Sequence, residues 1–492
     1  MSITFNLVPT TAAASQVFVE QEAVSRGNSS PVIPHKILVI GQYDSGKSPV
    51  VDTPQLVFDL DDAWTRYGRG SLLSRLLESV FKGRGSVPVY ALPIADNGAG
   101  VQASGTITVT GTAAADGTLA IYIGGKRVTV AVSNGDVQND IATAIAAAIT
   151  ADLDVPVTAV VNGATLNEVD VTVRWKGESG NQIKLEVNML ETDETPAGLT
   201  VAVVDLAGGA TNPVLDTALG NLGDTWYTEI VCPYLDATSL AAIKTAGVAR
   251  VDPGVKRPFV GFVGYTDTKA NFISKLGSLN TEWITIIPVH GSSIPGFEIA
   301  AATAGIFARV QEATPGRPVK NQTIPGVLAG SGNILTYTDR DTIVKAGGSH
   351  TYNQEDGSVT IGDLVTTRTQ TDGGADTDDW RFTIIIPNLQ FKIYALENTF
   401  LASPFDKAVV LADGGGVGPT YAVRPSTVKA YAISLVNDWV ERGLSTNRKT
   451  IVDGIVAEID TSNPGRINLL IPDIPSAGLR ILAAKLEWAF LV

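Results

Sequence analysis

The chain has 492 residues, 44% apolar and only 17% charged, with 50 acidic against 36 basic side chains and a formal net charge of −14. That length exceeds what one hydrophobic core supports, so two or three domains are expected; the acidity, with no Lys/Arg-rich run, argues against non-specific binding of nucleic-acid phosphates. The charged fraction lies below the roughly 25% usual for soluble proteins, which implies that something other than water covers much of the surface.

Residues 1–30 lack a globular pattern. Their one apolar alternation, around Val17, Phe18 and Val19, precedes the polar stretch SRGNSSP, and together they read as an extended arm with a strand inside it. The start, MSITFNLVPTT, has no basic residues and no sustained apolar stretch, so no signal peptide is expected. Nor does any apolar run reach the ~18 residues that span a bilayer, so the expectation is a soluble chain made in the cytoplasm.

An α/β pattern begins in residues 31–98. KILVI reads as a buried strand, residues 61–82 as one helix with Ala63, Trp64, Tyr67, Leu72, Leu76 and Val80 on its apolar side, and VPVYALPI as a second strand. Strand, helix, strand is the parallel-sheet unit. The texture changes over residues 99–210. SGTITVTG, GTLAIYIGG and KRVTVAVSNG are short alternating strands with glycine turns, DVQNDIATAIAAAITA is a helix, and VPVTAVV, EVDVTVRWKG and NQIKLEVNM are further strands. This is the pattern of a compact α+β unit inserted into the larger fold, with AGGATNP as the return linker.

Residues 211–465 resume the α/β rhythm. YTEIVCPY, RPFVGFVGY and TEWITIIPV are strands; ATSLAAIKTAG, TKANFISKLGS and PGFEIAAATAGIFARVQEA are helices. Hydrophobic runs on both strand faces imply a sheet covered by helices on each side. STVKAYAISLVNDWVERG is a helix with Ser426 as its expected N-cap and Gly443 as its stop, and DGIVAEID follows. Residues 466–492 form a C-terminal arm. Read as a strand, its end carries Leu482, Leu486, Trp488 and Phe490 on one apolar face, with Lys485 and Glu487 on the other. Such a strand needs a sheet edge to pair with, either in its own subunit or in a neighbouring copy.

Three motifs invite chemical readings. Residues 41–48, GQYDSGKS, satisfy G-x-x-x-x-G-K-[ST] after a strand. A phosphate loop, however, needs a helix to start at the Gly-Lys-Ser, and the following PVVDTP disfavours one, so a glycine-rich turn is the better reading. A Ser–His–Asp hydrolase would draw on His35, His290 or His350, of which only His290 sits at an expected strand end, and no G-x-S-x-G elbow occurs. The acidic run at residues 372–379, DGGADTDD, lacks the order of a calcium loop and reads as a solvated loop. The single cysteine, Cys232, lies in an apolar run and reads as a buried small residue, and no zinc-ligand spacing is present. No catalytic, cofactor or metal site is therefore expected.

GSVTIGDLVTTRT at residues 357–369, the following Asp378 and Asp379, and the late NPGRINLLIPDIP resemble the contractile-tail sheath proteins of bacteriophages, the Mu-type above all. VFVEQEA, LVIGQ, YGRGSLLSRLLESVF, LAGGATNP and GRPVKNQTIPGV carry the resemblance across most of the chain. Departures are Asp363-Leu364, about where the family often has Arg, and Arg368-Thr369-Gln370 in place of an Arg-Tyr after the threonine pair. The resemblance implies an α/β fold with a subtilisin-like, doubly wound core sheet, an inserted α+β domain facing outward, and N- and C-terminal arms that complete a sheet in neighbouring subunits. It implies a virion structural protein assembled in the host cytoplasm, in hexameric rings stacked in a helix around a tail tube protein, with baseplate and tail terminator proteins as further partners and no direct nucleic acid contact or membrane insertion. Contraction would drive the tube through the host envelope for genome ejection, without enzymatic activity. Val17, Phe18, Val19, Leu482, Leu486, Trp488 and Phe490 are the expected arm contacts. The alternatives are the sheath of another contractile injection system and a nucleotide-binding or hydrolytic α/β enzyme.

Overall fold

Strands that are apolar on both faces build the main sheet. The computed structural model describes residues 33–330, 334–414, 416 and 418–488. The described chain opens with β1 (Ile37–Gln42), β2 (Gln55–Val57), α1 (Leu60–Tyr67), α2 (Leu72–Gly83) and β3 (Val89–Ile94). The single helix expected over residues 61–82 is two. Gly68 and Gly70 adopt φ of +87° and +81°, which ends α1, and the Ser71 hydroxyl accepts the Ser74 N–H to start α2. A Cβ on Gly70 would lie 2.7 Å from the carbonyl oxygens of Leu153 and Val155, so glycine here also lets a distant backbone approach.

Next come β4 (Ser104–Gly111), β5 (Gly117–Ile123), β6 (Lys126–Val132), α3 (Gln138–Ala151), β7 (Val157–Val161), β8 (Glu168–Val173), β9 (Leu185–Val187) and β10 (Leu199–Ala207). They form a four-stranded sheet, β10-β4-β8-β7, and a three-stranded one, β6-β5-β9, all antiparallel. Helix α3 buries Ile141, Ile145 and Ile149, one face at helical spacing. Strand β10, LTVAVVDLA, was not among the expected strands, although its alternation is plain in the burial. The segment leaves and re-enters at a neck where Val101 and Ala210 exchange two backbone hydrogen bonds of 3.0 and 3.2 Å. It does not hang free. On α2, Arg75 Nε donates to Glu298 Oε1 at 2.9 Å, its Nη2 reaches the same oxygen at 2.5 Å, and Nη2 also reaches the Gly124 carbonyl at 3.4 Å. One continuous buried cluster runs from β1 through α3 to the later strands.

The second half continues with α4 (Asp216–Gly220), β11 (Glu229–Val231), α5 (Ala237–Arg250), β12 (Val260–Tyr265), α6 (Lys269–Leu276), β13 (Ile284–Pro288) and α7 (Gly296–Ala313). The six-stranded sheet has the order β13-β12-β11-β1-β3-β2. Its strands are parallel except β2, which caps the edge antiparallel to β3. β1, β11, β12 and β13 are buried along their whole length, as parallel strands covered on both faces must be. Cys232 is fully buried, and burial pushes its thiol up to about 12. It should therefore resist alkylation at pH 8 in the native protein and react only as the chain unfolds; prompt labelling without unfolding would contradict this placement.

A smaller sheet, β14-β16-β15, follows from β14 (Thr323–Leu328), α8 (Tyr337–Lys345), β15 (Thr351–Asn353) and β16 (Ser358–Ile361). The chain closes with α9 (Ile385–Leu401), β17 (Val409–Val410), β18 (Ala422–Val423), α10 (Pro425–Glu441), α11 (Arg448–Asp453), β19 (Val456–Ile459) and β20 (Ile467–Leu470). Ser426 is not the N-cap of α10. Pro425 occupies the first turn, and the Ser426 N–H is instead accepted by Asp413 at 3.2 Å. Gly443 does follow the helix end, at φ +71°. The whole is a mixed α/β fold with several sheets.

Candidate assembly surfaces

The last elements have a core of their own. Phe391 and Ala395 of α9, Ala432, Val436 and Trp439 of α10, Ile451 of α11, and Ile33 are buried together. Lys392 ties this core to the chain that follows: its ammonium lies 2.6 Å from Asp473 Oδ2 and 3.2 Å from the Leu444 carbonyl. Burial lowers the Lys392 pKa, and Asp473 opposes that shift by favouring the charged form. Ser445 Oγ donates to the other Asp473 oxygen at 2.6 Å, and residues 444–446 zip onto 474–476 through Thr446 N–H to Ile474 and Ser476 N–H to Leu444. Ile33, where the described chain begins, and the root of the C-terminal tail thus belong to one small subdomain.

The tail leaves that subdomain uncovered. Over the described part of residues 479–492 no strand forms within the single chain. Leu482, Leu486 and Trp488 are 82, 87 and 74% exposed. A stripe of large apolar side chains in water is unfavourable unless something covers it. Leu482 and Leu486 are left largely exposed by the described residues of their own subunit. Phe490 and the N-terminal Val17, Phe18 and Val19 lie outside the described residues.

Close in sequence to the tail root stands a two-stranded ribbon. β19 and β20 pair antiparallel over four residues, and among the described residues each has only the other as strand partner. Among the described residues, both outer edges therefore offer ladder positions without a strand partner. Along β20, Ile467 and Leu469 border an apolar hollow of about 370 Å³ that Phe400, Phe405, Val423 and Val428 complete. In the sequence, DGIVAEID is assigned no element and NPGRINLLIPDIP serves only for its resemblance; the signal for the ribbon is the Asn-Pro-Gly turn between two apolar runs.

The residues of the chemical motifs take these places. No helix starts at Gly46-Lys47-Ser48; the segment turns on Asp44, which accepts the Gly46 N–H at 2.9 Å, and the next helix begins at Leu60. His35 is buried against Thr228 Oγ1 and Glu229 Oε1, both 3.1 Å away, His290 Nδ1 meets the Asp267 carbonyl at 2.5 Å, and His350 Nε2 lies 3.3 Å from Asp363 Oδ2. In the acidic loop, Asp372 pairs with Arg368 and Asp378 with Arg381. Among the described residues, no group of three or more His, Cys, Asp or Glu is placed to hold a metal, and no helix is long and apolar enough to cross a membrane.

The chain is 27% identical over 490 residues to the Mu-like prophage FluMu tail sheath protein of Haemophilus influenzae, covering 99% of this chain and 100% of that one. It resembles a tail sheath protein from end to end. Solved structures include a sheath tail protein from Desulfitobacterium hafniense (12% identical, 95% of this chain and 97% of that chain, TM-score 0.48). Another is the contracted helical sheath of the anti-feeding prophage (10% identical, 97% of this chain and 100% of that chain, TM-score 0.48). No family model matches the chain.

Proposed function

We propose that this chain is the structural subunit of a contractile tail sheath, a virion tail component that polymerises helically around a tail tube and shortens to drive the tube through an envelope. The observation that carries this reading is the exposed apolar tail at Leu482 and Leu486, close in sequence to a strand ribbon whose outer edges have no strand partner among the described residues. An exposed apolar tail and such an edge are complementary between copies of the same chain. Such donor and acceptor sites lie at different places on one molecule, so copies join head to tail, the arrangement from which rings and helical arrays are built. Tail strands would supply main-chain hydrogen bonds to β19 or β20 and apolar side chains to the adjoining hollow. Burying ~200 Å² of apolar surface is worth about 5 kcal/mol before ordering costs, enough to keep neighbours linked while other contacts rearrange.

Within this reading the six-stranded sheet is the subtilisin-like, doubly wound core, residues 99–210 are the inserted domain on the outer side, and residues 1–30 and 466–492 are the arms. The N-terminal Val17, Phe18 and Val19 and the C-terminal Phe490 act in the same lattice. Tube, baseplate and terminator proteins are the partners, rings of six are the repeating layer, and assembly takes place in the host cytoplasm. Contraction is a shift between two packings of rigid cores, a kind of transition whose end states differ by only a few kcal/mol per subunit. No chemistry is assigned to the chain. Negative-stain microscopy of the purified full chain tests the proposal. Hollow tubes of regular diameter are expected, and a chain that stays monomeric at high concentration rules out self-assembly as its role.

A further inference from the structure

We infer that Arg480 is the positioning residue that sets the direction in which the C-terminal arm leaves the subunit. The inference rests on reading that arm as an inter-subunit connector, and adds where it is held. The Arg480 guanidinium faces Asp363 with both sides of its fork, Nε 3.3 Å from Oδ1 and Nη2 3.4 Å from Oδ2, and lies 3.7 Å from the centroid of the Phe382 ring. Planar stacking and a two-pronged pair together fix an orientation, which a lysine could not do. Asp363 and Phe382 belong to one pad. Val365 and Phe382 form a bridge, and the Thr383 hydroxyl donates to the Leu364 carbonyl at 3.1 Å.

The pad is itself braced. His350 Nε2 lies 3.3 Å from both the Asp363 carboxylate and its amide nitrogen, and an added Cβ on Gly362 would sit 2.2 Å from the His350 ring, so glycine is needed there. Burial raises the Asp363 carboxyl, but hydrogen bonds from His350 and Arg480 outweigh it and hold the group down to about 2. Because the folded value lies below the ordinary 3.8, the anchor's contribution is complete above that pH and is lost as pH falls through about 2.

Around this point the tail root is poorly supported. Residues 475–481 line a hollow of about 440 Å³ together with Phe382, Ile384 and Ile385. Leu479 and Ile481, on either side of Arg480, are 77 and 73% exposed. Gly478 passes close to Pro318 and Ile384, where an added Cβ would sit 2.5 and 3.1 Å from their side chains, and Arg480 then supplies the charged anchor where the arm turns from the zipped segment at residues 474–476 into the exposed stretch.

Hydrogen exchange on the full-length soluble protein, combined with microscopy of its tubes, tests the assignment with Arg480→Ala and Arg480→Lys. In the alanine variant, exchange at the Ser476 amide and in residues 444–446 should rise roughly five- to tenfold, with lysine intermediate and β1 and β12 unchanged. Its tubes should form but lose regular diameter. Unchanged exchange at Ser476 overturns the anchor, and raised exchange with tubes as regular as the parent's overturns the positioning role. If the parent forms no tubes, the sheath reading fails, and exchange alone decides whether Arg480 holds the tail.

Discussion

Deleting residues 479–492 should abolish tube formation and leave a folded subunit. Both hydrophobic clusters are built from residues that precede the deletion, while Leu482 and Leu486 are largely exposed in the single chain. Their removal takes nothing from either core. What is lost is the burial each copy would gain from its neighbour, about 5 kcal/mol per contact, equivalent to a fall of three to four orders of magnitude in association. Thermal unfolding of the truncated chain should stay within about 2 °C of the parent. A gentler version converts Leu482, Leu486 and Trp488 to aspartate, which leaves Arg480 and the tail root intact. The triple variant should fail to polymerise equally well. Regular tubes from either protein would show that the tail is not the connector, and a collapse of the melting temperature would show that the tail serves its own subunit.

Glu298→Ala should lower the free energy of unfolding by about 3–5 kcal/mol, the cost of leaving one member of a buried ion pair behind. The pair joins α2 to α7 at the place where Gly124 of the β5–β6 turn abuts them, and its side chains are 4 and 9% exposed. Burial raises the Glu298 carboxyl pKa above its ordinary 4.5, and Arg75 only partly offsets this. A raised value in a carboxylic acid means that the group's contribution is present below 4.5 and is lost as pH rises through the folded value. The pair is therefore no net source of stability at neutral pH, yet breaking it on one side is severe. Glu298→Gln, which keeps an acceptor for Arg75, should cost less than alanine. Replacing both members with methionine should recover most of the loss. Denaturant titrations followed by tryptophan fluorescence measure all three, and a double variant as unstable as Glu298→Ala would show that the pair stabilises in its own right.

Much of the architecture follows from periods that a single strand or helix already contains. KILVI, RPFVGFVGY and TEWITIIPV are apolar on both faces, and they are the buried strands of the main sheet. The alternation in residues 117–132 is the β5–β6 hairpin that forms there, while the strand at residues 104–111 pairs with β8 and β10. Local pattern misled where a neighbour decided. Residues 61–82 have a helical stripe throughout, but Gly68 and Gly70 take positive φ where residues 153–155 come close. Ser426 has cap chemistry, but Asp413, thirteen positions earlier, accepts its N–H. Strand β10 and the β19–β20 ribbon escaped notice because a strand acquires its meaning from the partner beside it.

The sequence by itself determined the apolar and polar faces of most elements, the lack of a local catalytic pattern, and the fully apolar side of the terminal residues, because these depend on neighbours two to four positions apart. Only the tertiary structure decided that Ile33 and residues 474–476 share a subdomain, that β19 and β20 pair into a ribbon beside them, and that Arg480 meets Asp363 across 117 positions. Encounters at that separation are set by how the whole chain closes its loops and fills its cores, and no window of local periodicity contains that information.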